Sequence, residues 1–445
     1  MNHDDPQRLL HPWGAVAIIV GIVIGAGIFK TPSMVAGVAG DIGWIMLIWG
    51  AGALISLAGA LCYAELSTTY PHTGGDYHFL SQAYGKSISF LYAWAKAMVI
   101  NTGAIALLGF VFGDYMSQVI HLGPYSTAIW ALGIVLLLTL VNIAGIHASA
   151  SAQTIMIVLE VIGLLAMVIA GFLLTPPEGA TSPAMFSSTP PLGLLGLAMV
   201  FVLLTYGGWN EAAYIGAEVK GGPKAMVRVI VISLAIIAAI YLLINAALLH
   251  GLGIKGLAES KAAGATVMES VFGVWGQKAI GVIVALAALT SINATMVVGA
   301  RSNYALGKDW KKLSFLAQWE GKKGSPTLAY LIQSAISLAL IGFGTLQADG
   351  FETMVEFTAP VFWVFLFLVG VSLFVLRFRD RQRERPFRVP FYPITPIVFC
   401  ASSAYLAYSS IMYAASKNAA HVAMWVMIAG VVALGLLKRR ATAAA

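Results

Sequence analysis

The chain has 445 residues, of which 59% are hydrophobic and only 10% are charged, and its mean hydropathy is +0.85. Soluble domains carry about a quarter charged residues, so this composition excludes a water-soluble enzyme or binding domain. A formal net charge of +7 would suggest nucleic acid as the partner of a soluble protein. Here the positions of the basic residues explain the charge better, as a signal that sets membrane topology.

Hydrophobic stretches of roughly 20 residues, the length that crosses a bilayer as a helix, recur along the chain with short gaps between them. The N-terminal segment lacks a secretory signal pattern, so we expect the first stretch to remain in the mature protein. The pattern predicts an all-α integral membrane protein with twelve transmembrane helices, at 13–39, 43–66, 87–116, 124–144, 150–174, 192–218, 226–249, 278–304, 326–346, 353–376, 392–414 and 419–437.

Twelve spans place both termini on one side of the membrane. Of the 26 Lys and Arg residues, 20 fall on that side and five on the other, with Lys96 inside the membrane. Short loops rich in Lys and Arg stay in the cytoplasm, so segments 1–12 and 438–445 and the basic loop 377–391 are predicted to be cytoplasmic. A periodic piece from Thr266 to Phe272, in an outside segment, predicts a short helix at the membrane surface.

Two spans are interrupted where a helix should be continuous. Tyr206 to Asn210, with the sequence YGGWN, lies in the middle of span six, and span one carries Gly21, Gly25, Gly27, Pro32 and Gly37. Backbone breaks at bilayer depth survive only where the freed N–H and C=O groups are buried in protein or meet water or a ligand. For one span alone, Gly21 and Gly25 would equally suit a helix-packing surface.

The two breaks occupy the first span of two blocks of five, 13–174 and 192–376, and matched breaks of this kind indicate a transporter's binding site. We expect the N–H groups of Gly25, Ala26 and Gly27 to hold a substrate carboxylate, and carbonyls near Ile22 and Tyr206 to face an ammonium group. An α-amino acid carries both charges. Tyr206 would line the side-chain pocket together with Trp209, Asn210 and Asn101.

Five motifs resemble one known family, the amino acid–polyamine–organocation (APC) superfamily, and within it a bacterial member of the L-type amino-acid transporters. They follow one another through most of the chain. The motifs are GIVIGAGIF in span one, ALCYAEL (Ala60 to Leu66), GGDYHFLSQAYG (Gly74 to Gly85), YGGWN in span six and RERPFRVP (Arg383 to Pro390).

The resemblance implies the LeuT/APC fold: two inverted five-helix repeats with broken helices 1 and 6, two further helices at 392–437, and alternating access around a central site. Substrate backbone contacts would carry over to Gly25, Ala26 and Gly27 in span one and to Tyr206, Gly207 and Trp209 in span six. Gly208, in the same break, is a further candidate for substrate binding. Animal relatives join a glycoprotein through a cysteine in the second outside loop. The corresponding loop here, 117–126, has none, so no disulfide-linked subunit is expected.

Three charged residues fall near mid-membrane: Lys96, Glu160 and Glu211. Sodium-independent relatives often carry a lysine where this chain has Glu160. Three interpretations remain open: Lys96 and Glu160 form a structural ion pair, Glu160 or Glu211 exchanges a proton, or Lys96 attracts an acidic substrate. Glu65, near the end of span two, is interpreted as structural, paired with arginines or lysines of nearby loops.

Span eight offers Ser291, Asn293 and Thr295 as ligands for a coupling cation, although hydrogen bonds between helices explain the same residues. The eight histidines show no ligand spacing, so no metal or cofactor is predicted. The paired aspartates or HExxH motif of an intramembrane protease are missing, and a channel would show filter loops.

The sequence therefore predicts a secondary amino-acid transporter, a permease or exchanger for neutral L-amino acids, in a bacterial inner membrane. The alternative is a proton-coupled symporter of acidic or cationic amino acids or amines. Its partners would be the substrate and the lipid bilayer, without nucleic acid.

Overall fold

The computed structural model describes residues 11–72, 74–145, 150–177, 185–187, 189–210, 220–318, 326–415 and 418–442. Within them every regular element is a helix. The α-helices are α1 (Pro12–Val23), α2 (Thr31–Ala39), α3 (Ile42–Thr69), α4 (Asp76–Tyr84), α5 (Lys86–Ala95), α6 (Asn101–Val119), α7 (Ser126–Ile143), α8 (Ala150–Leu173), α9 (Leu192–Thr205), α10 (Gly222–Glu259), α11 (Ala263–Asp309), α12 (Thr327–Thr345), α13 (Gly350–Arg379), α14 (Ile394–Ala415) and α15 (Asn418–Thr442).

Ten helical segments of the described chain are long and apolar enough to cross a membrane. Two more apolar helices, α1 and α9, are shorter, and each is the first half of a span that the sequence predicts to be broken. The chain is therefore a multi-pass helical membrane protein. From residue 155 onward, where the side chains of α8 are described, its exposed side is apolar, with residues such as Ile155, Leu165 and Ile169, as expected for a surface that faces lipid.

Span one breaks between α1 and α2, as its glycines predict. Ile24 and Gly25 leave helical geometry, with ψ angles of 104° and −175°. A single 3₁₀ turn, Ala26–Phe29, follows before α2 begins at Thr31. An extended stretch at mid-helix separates the end carbonyls of α1 from the first N–H groups of the next turn, which have no partner in the helix.

Span six breaks after Thr205. A turn covers residues 206–208 before the chain returns to helix at Trp209, and Gly208 has φ 101°, a left-handed value that other residues adopt at an energetic cost. The predicted coupling residue Glu211, the remainder of span six to 218, and residues 1–10 of the N-terminal segment lie outside the described residues.

Two long helices bend at glycines on the side away from loop 377–391. Gly253 in α10 has φ 66° and Gly273 in α11 has φ 64°, both outside helical geometry. The part of α11 before Gly273 contains the short helix predicted from Thr266 to Phe272. Gly253 turns the chain after span seven has ended and Gly273 turns it before span eight begins, because glycine tolerates the left-handed conformation.

Candidate functional site

The two broken spans touch at their breaks. A Cβ atom added to Gly208 would lie 3.1 Å from the Ile22 side chain and 3.3 Å from its carbonyl oxygen. A Cβ atom added to Gly27 would lie 3.7 Å from the backbone of Thr205. At Gly208 an added side chain would therefore be strained by both its neighbour and its backbone, whereas the Gly27 contact is an ordinary van der Waals distance. The carbonyl ends and N–H ends of the half-helices thus meet in one place.

Tyr241 of α10 ties the two half-helices together. Its hydroxyl group is 3.0 Å from the Val23 carbonyl oxygen, at the end of α1, and 3.2 Å from the Thr205 carbonyl oxygen, at the end of α9. The ring is fully buried against Trp49 and Tyr206, at centroid distances of 5.5 and 4.9 Å. Nothing in the sequence singles out this tyrosine.

A cavity of about 430 Å³ opens beside the breaks. Its wall combines both breaks with residues of α6, α8, α11 and α13. The α13 residues run from Phe351 to Val369, about 27 Å of helix at 1.5 Å per residue. The cavity thus extends from the breaks toward Asp76 and Tyr92, near the end of the molecule that carries loop 377–391. We call this end the inner end and the opposite one the outer end.

Most of the residues that the sequence nominates lie in the cavity wall: Ile22, Gly25, Ala26, Gly27, Lys96, Asn101, Glu160, Gly207, Gly208, Asn210 and Ser291. Tyr206, Trp209 and Asn293 are not part of it. The wall also holds Thr31 and Thr205, whose hydroxyl groups are 2.6 Å apart.

Tyr206 and Trp209 were expected in the side-chain pocket, but both pack behind the cavity wall. Tyr206 is fully buried, and its hydroxyl group donates to the Trp49 carbonyl. Trp209 meets Tyr63 edge-on at a centroid distance of 5.2 Å, and Tyr63 itself reaches the cavity. The YGGWN motif thus has a double use: its glycines shape the wall, and its aromatic rings anchor the break to α3.

The ion pair between Lys96 and Glu160, one of the three interpretations that the sequence leaves open, is not formed. No carboxylate in the described chain lies within 4.0 Å of the Lys96 ammonium group, which stands 6.0 Å from the centre of the Tyr92 ring. The Glu160 side chain is 5% exposed, and its Oε1 has no hydrogen-bond partner in the described parts of the chain. A charge in the membrane costs about 2.5–3.5 kcal/mol on insertion scales, so both groups mark a functional cavity.

The span-eight candidates separate into two groups. Ser291 faces the break of span one, since a Cβ atom on Gly25 would lie 3.4 Å from the Ser291 hydroxyl oxygen. Thr295 also lines the cavity, and its hydroxyl group donates to the Ser291 carbonyl at 2.9 Å. Asn293 instead accepts a hydrogen bond of 2.7 Å from Asn142 of α7. Asn293 therefore forms a hydrogen bond between helices, the alternative to cation binding that the sequence left open.

Comparison with known proteins identifies the family. A model described as "Amino acid permease" matches residues 10–434, nearly the whole chain. The chain belongs to the amino acid permease family. This membership confirms the resemblance found in the sequence and the prediction of an amino-acid transporter rather than an enzyme.

Three relatives illustrate the similarity. The serine/threonine exchanger SteT of Bacillus subtilis (strain 168) is 29% identical over 433 residues, which are 96% of this chain and 96% of the relative. The human b(0,+)-type amino acid transporter 1 is 26% identical, with 91% of this chain and 83% of the relative covered. The human large neutral amino acids transporter small subunit 2 is 28% identical, with 87% and 73% covered.

At the outer end of the permease cavity lies a buried ion pair that sequence reasoning missed. Lys30, 2% exposed, follows the 3₁₀ turn of span one, and its ammonium group is 2.7 Å from Oδ2 of Asp114 on α6 and 3.2 Å from the Lys261 carbonyl oxygen. Asp114 also accepts a hydrogen bond from Thr127. The sequence does contain a signal for Lys30, which directly follows the GAGIF break. Its partner Asp114 is 84 residues away in the chain, so the sequence alone does not identify the pair.

At the inner end, Glu65 of α3 meets basic residues, as predicted. Its carboxylate accepts two hydrogen bonds from Arg377 of α13, lies 3.4 Å from the Arg385 guanidinium, and accepts the Val389 backbone N–H at 2.6 Å. Glu65 itself is 1% exposed. Arg377 near the end of α13, together with Arg385 and the Val389 N–H group of the following loop, therefore supplies the partners of a buried carboxylate.

Proposed function

We propose that this permease is an amino-acid exchanger that works by alternating access, with the substrate backbone held between the breaks of spans one and six. The observation that carries the proposal is the contact between the breaks at Gly208 and Ile22, which brings partner-free N–H groups and helix-end carbonyls to one cavity. The substrate carboxylate binds the N–H groups of Gly25 to Gly27. The substrate ammonium group faces the carbonyls near Ile22 and residue 206.

The architecture we infer for this cycle has twelve spans, counting the broken ones, arranged as two inverted repeats at 13–174 and 192–376 with two further helices at 392–437. Both termini and loop 377–391 face the cytoplasm of a bacterial cell, following the charge asymmetry of the loops. The cavity extends toward the inner end, while Phe201 and Phe351 stack at 6.4 Å near the Lys30–Asp114 pair. These features support an inward-facing conformation.

Neutral L-amino acids suit the cavity, because its wall is largely apolar, with Ile100, Ala104, Leu107, Val355 and Phe362 among its residues. A disulfide-linked subunit is not part of the proposal. Both cysteines of the chain, Cys62 and Cys400, are buried, which leaves no thiol for a partner at the outer surface.

The test of the exchanger is uptake of radiolabelled amino acids by the purified protein in liposomes, with a panel of unlabelled amino acids inside. Uptake should require an internal amino acid and should saturate. Gly208→Ala should reduce it about tenfold or more, because the new side chain meets both a left-handed backbone and the Ile22 carbonyl. Gly133→Ala is the matched control, since a Cβ atom there meets nothing within 4 Å.

A second candidate function is proton-coupled symport, and one observation favours it: the buried Glu160 carboxylate with an oxygen that lacks a partner in the described structure. A proton on that oxygen would remove the charge during each cycle. Uptake into empty vesicles driven by an inward proton gradient, and lost in Glu160→Gln, would establish symport. Exchange that ignores the gradient would leave Glu160 without a coupling role.

A further inference from the structure

Lys96 is the one side-chain cation among the described residues that line the cavity. The described carboxylates of the wall are Glu160 of α8 and Asp76 of α4, and neither approaches the Lys96 ammonium group within 4.0 Å. Glu211, also near mid-membrane in the sequence, lies outside the described residues. Lys96 therefore has no counter-ion within 4.0 Å among the described residues, and of the interpretations left open by the sequence the geometry favours a lysine that faces the substrate.

The surroundings keep the Lys96 ammonium group on the cavity side. It stands 6.0 Å from the centre of the Tyr92 ring, one helical turn earlier in the chain. The Tyr92 hydroxyl group donates to Oδ2 of Asp76 at 2.9 Å. The ring therefore stands against the lysine while its polar end is bound to the carboxylate. A cation above an aromatic face is held in place and keeps its hydrogen-bond donors available.

The backbone around Lys96 has a special geometry. Residues Lys96–Ile100 form a π-helical turn between α5 and α6, and such turns concentrate at functional sites because they re-aim side chains by one extra residue. The next residue, Asn101, is 7% exposed, and its Nδ2 has no hydrogen-bond partner in the described chain. That Nδ2 atom is itself buried, beside Gly299 of α11 and Gln333 of α12, so the hydrogen-bond donor that span three offers to the cavity is the Lys96 ammonium group.

The two described carboxylates of the wall lie at different places. Glu160 interacts electrostatically with Tyr241, whose hydroxyl group binds the Val23 carbonyl, so Glu160 is close to the break of span one. Asp76 accepts the hydrogen bond from the Tyr92 hydroxyl group and lies more than 4.0 Å from the Lys96 ammonium group. The ammonium group of span three therefore remains available to a carboxylate of the substrate.

We propose that Lys96 is a specificity-determining residue that binds a carboxylate on the substrate side chain, so that acidic amino acids bind better than neutral ones of the same size. This inference rests on the proposed amino-acid transport: neutral amino acids, which fit the apolar wall, remain substrates, and acidic ones are the preferred class. An ammonium group only donates hydrogen bonds, and a carboxylate is the amino-acid side chain that accepts them while carrying the opposite charge.

The experiment is competition against a radiolabelled amino acid in liposomes, with two size-matched pairs: glutamate against glutamine, and aspartate against asparagine. The wild-type protein should prefer the acid of each pair by about tenfold. Lys96→Met should remove the preference, so that the acid and the amide of each pair compete equally. Lys96→Arg, which keeps the charge, should retain the preference.

The outcomes are separable. If no amino acid is taken up, the proposed transport function fails. If neutral amino acids are exchanged and glutamine competes as well as glutamate in the wild-type protein, only the role of Lys96 is overturned. The wild-type ratio decides this even if Lys96→Met does not fold. A preference for acids that persists in folded Lys96→Met would also overturn it.

Discussion

The outer and inner ends of the cavity are both held by buried ion pairs, but the two pairs are built differently. At the outer end one cation, Lys30, meets one carboxylate, Asp114. At the inner end one carboxylate, Glu65, is shared by Arg377, Arg385 and a backbone N–H. A single pair can open when one group moves, whereas a shared carboxylate stays bound until several donors leave.

The elements that the pairs join differ as well. Lys30 precedes α2, the outer half of broken span one, so its pair links a half-helix of the site to α6. Glu65 links α3 to α13 and to the basic loop. The single ion pair therefore lies on a half-helix of the site, and the shared carboxylate lies between continuous helices. In the proposed cycle of alternating access we expect the single pair to open first.

The largest expected effect is at the inner end. Glu65→Gln removes the negative charge and leaves Arg377 and Arg385 partly buried without their counter-ion, which destabilises a protein by about 3–5 kcal/mol for a buried pair. Thermal unfolding in detergent, followed by loss of the monodisperse peak, should show the largest drop of the variants considered. Arg388→Gln, at an exposed loop position, should change stability by less than about 0.5 kcal/mol. Equal losses in both variants would contradict a buried network.

Lys30→Met tests the outer end. It should lower the free energy of unfolding by about 2–3 kcal/mol, less than Glu65→Gln, because Asp114 is 12% exposed and keeps its hydrogen bond from Thr127. The accessibility of the cavity from the outside distinguishes opening of the outer end from a simple loss of stability. A cysteine introduced at Thr31, in a background without Cys62 and Cys400, should react faster with a membrane-impermeant thiol reagent added outside once the pair is broken.

A double variant separates opening of the outer end from a general loss of stability. Lys30→Met combined with Asp114→Asn removes both charges, so stability should recover in part while outer labelling stays fast. Slow labelling in both variants would show that the pair does not hold the outer end closed.

Much of this arrangement could be predicted from the sequence, and the reason is specific to membranes. The broken spans were predictable because glycine and proline interrupt a long apolar run, and because irregular backbone in the bilayer must serve a cavity. Glu65 was predictable because a carboxylate near basic loops finds counter-ions. Both predictions depend only on which residues are present and on their order in the chain.

The remainder depends on three-dimensional contacts. Tyr241 cannot be told from any other buried tyrosine until its hydroxyl group is seen between two helix ends. The pairing of Lys96 with Glu160 seemed the cheapest arrangement on energetic grounds, yet their helices hold the charges apart. Tyr206 and Trp209 were assigned to the pocket by motif, although side-chain direction across a break depends on turn geometry and not on residue spacing.

Midway between the two ends, Gly59 of α3 sets the position of Trp209. A Cβ atom there would lie 2.5 Å from the Trp209 ring and 2.7 Å from Phe399. Gly59→Ala should therefore destabilise by about 1–3 kcal/mol and weaken substrate binding through the displaced break. Gly50→Ala on the same helix, where a Cβ atom meets nothing within 4 Å, should be neutral or slightly stabilising. Equivalent binding constants for the two variants would disprove the positioning role.

The smallest expected effect concerns a second carboxylate at the inner end, Asp380. The Tyr70 hydroxyl group donates to the Asp380 carboxylate at 2.6 Å, just beyond the ends of α3 and α13, and this bond, aided by Arg379 and Arg383, lowers the pKa of Asp380 against the opposing effect of burial. Burial and the bond to Asp380 raise the pKa of Tyr70 to about 12. Because the folded pKa of Asp380 lies below the unfolded value of about 3.9, its contribution is present above that pH and is lost as the pH falls through the folded pKa.

Asp380→Asn should accordingly be less stable than the wild-type protein by about 1 kcal/mol at pH 7, since the carboxylate is partly exposed, and the gap should shrink below about pH 4. Tyr70→Phe, which keeps the ring under Arg383 and removes only the donor, should show the same pH dependence. A gap that is as large at pH 3.5 as at pH 7 would mean that Asp380 contributes by packing rather than by charge. Glu65 would then be the one carboxylate whose charge stabilises the inner end. The difference from the Lys30–Asp114 pair would lie in the several donors that surround Glu65.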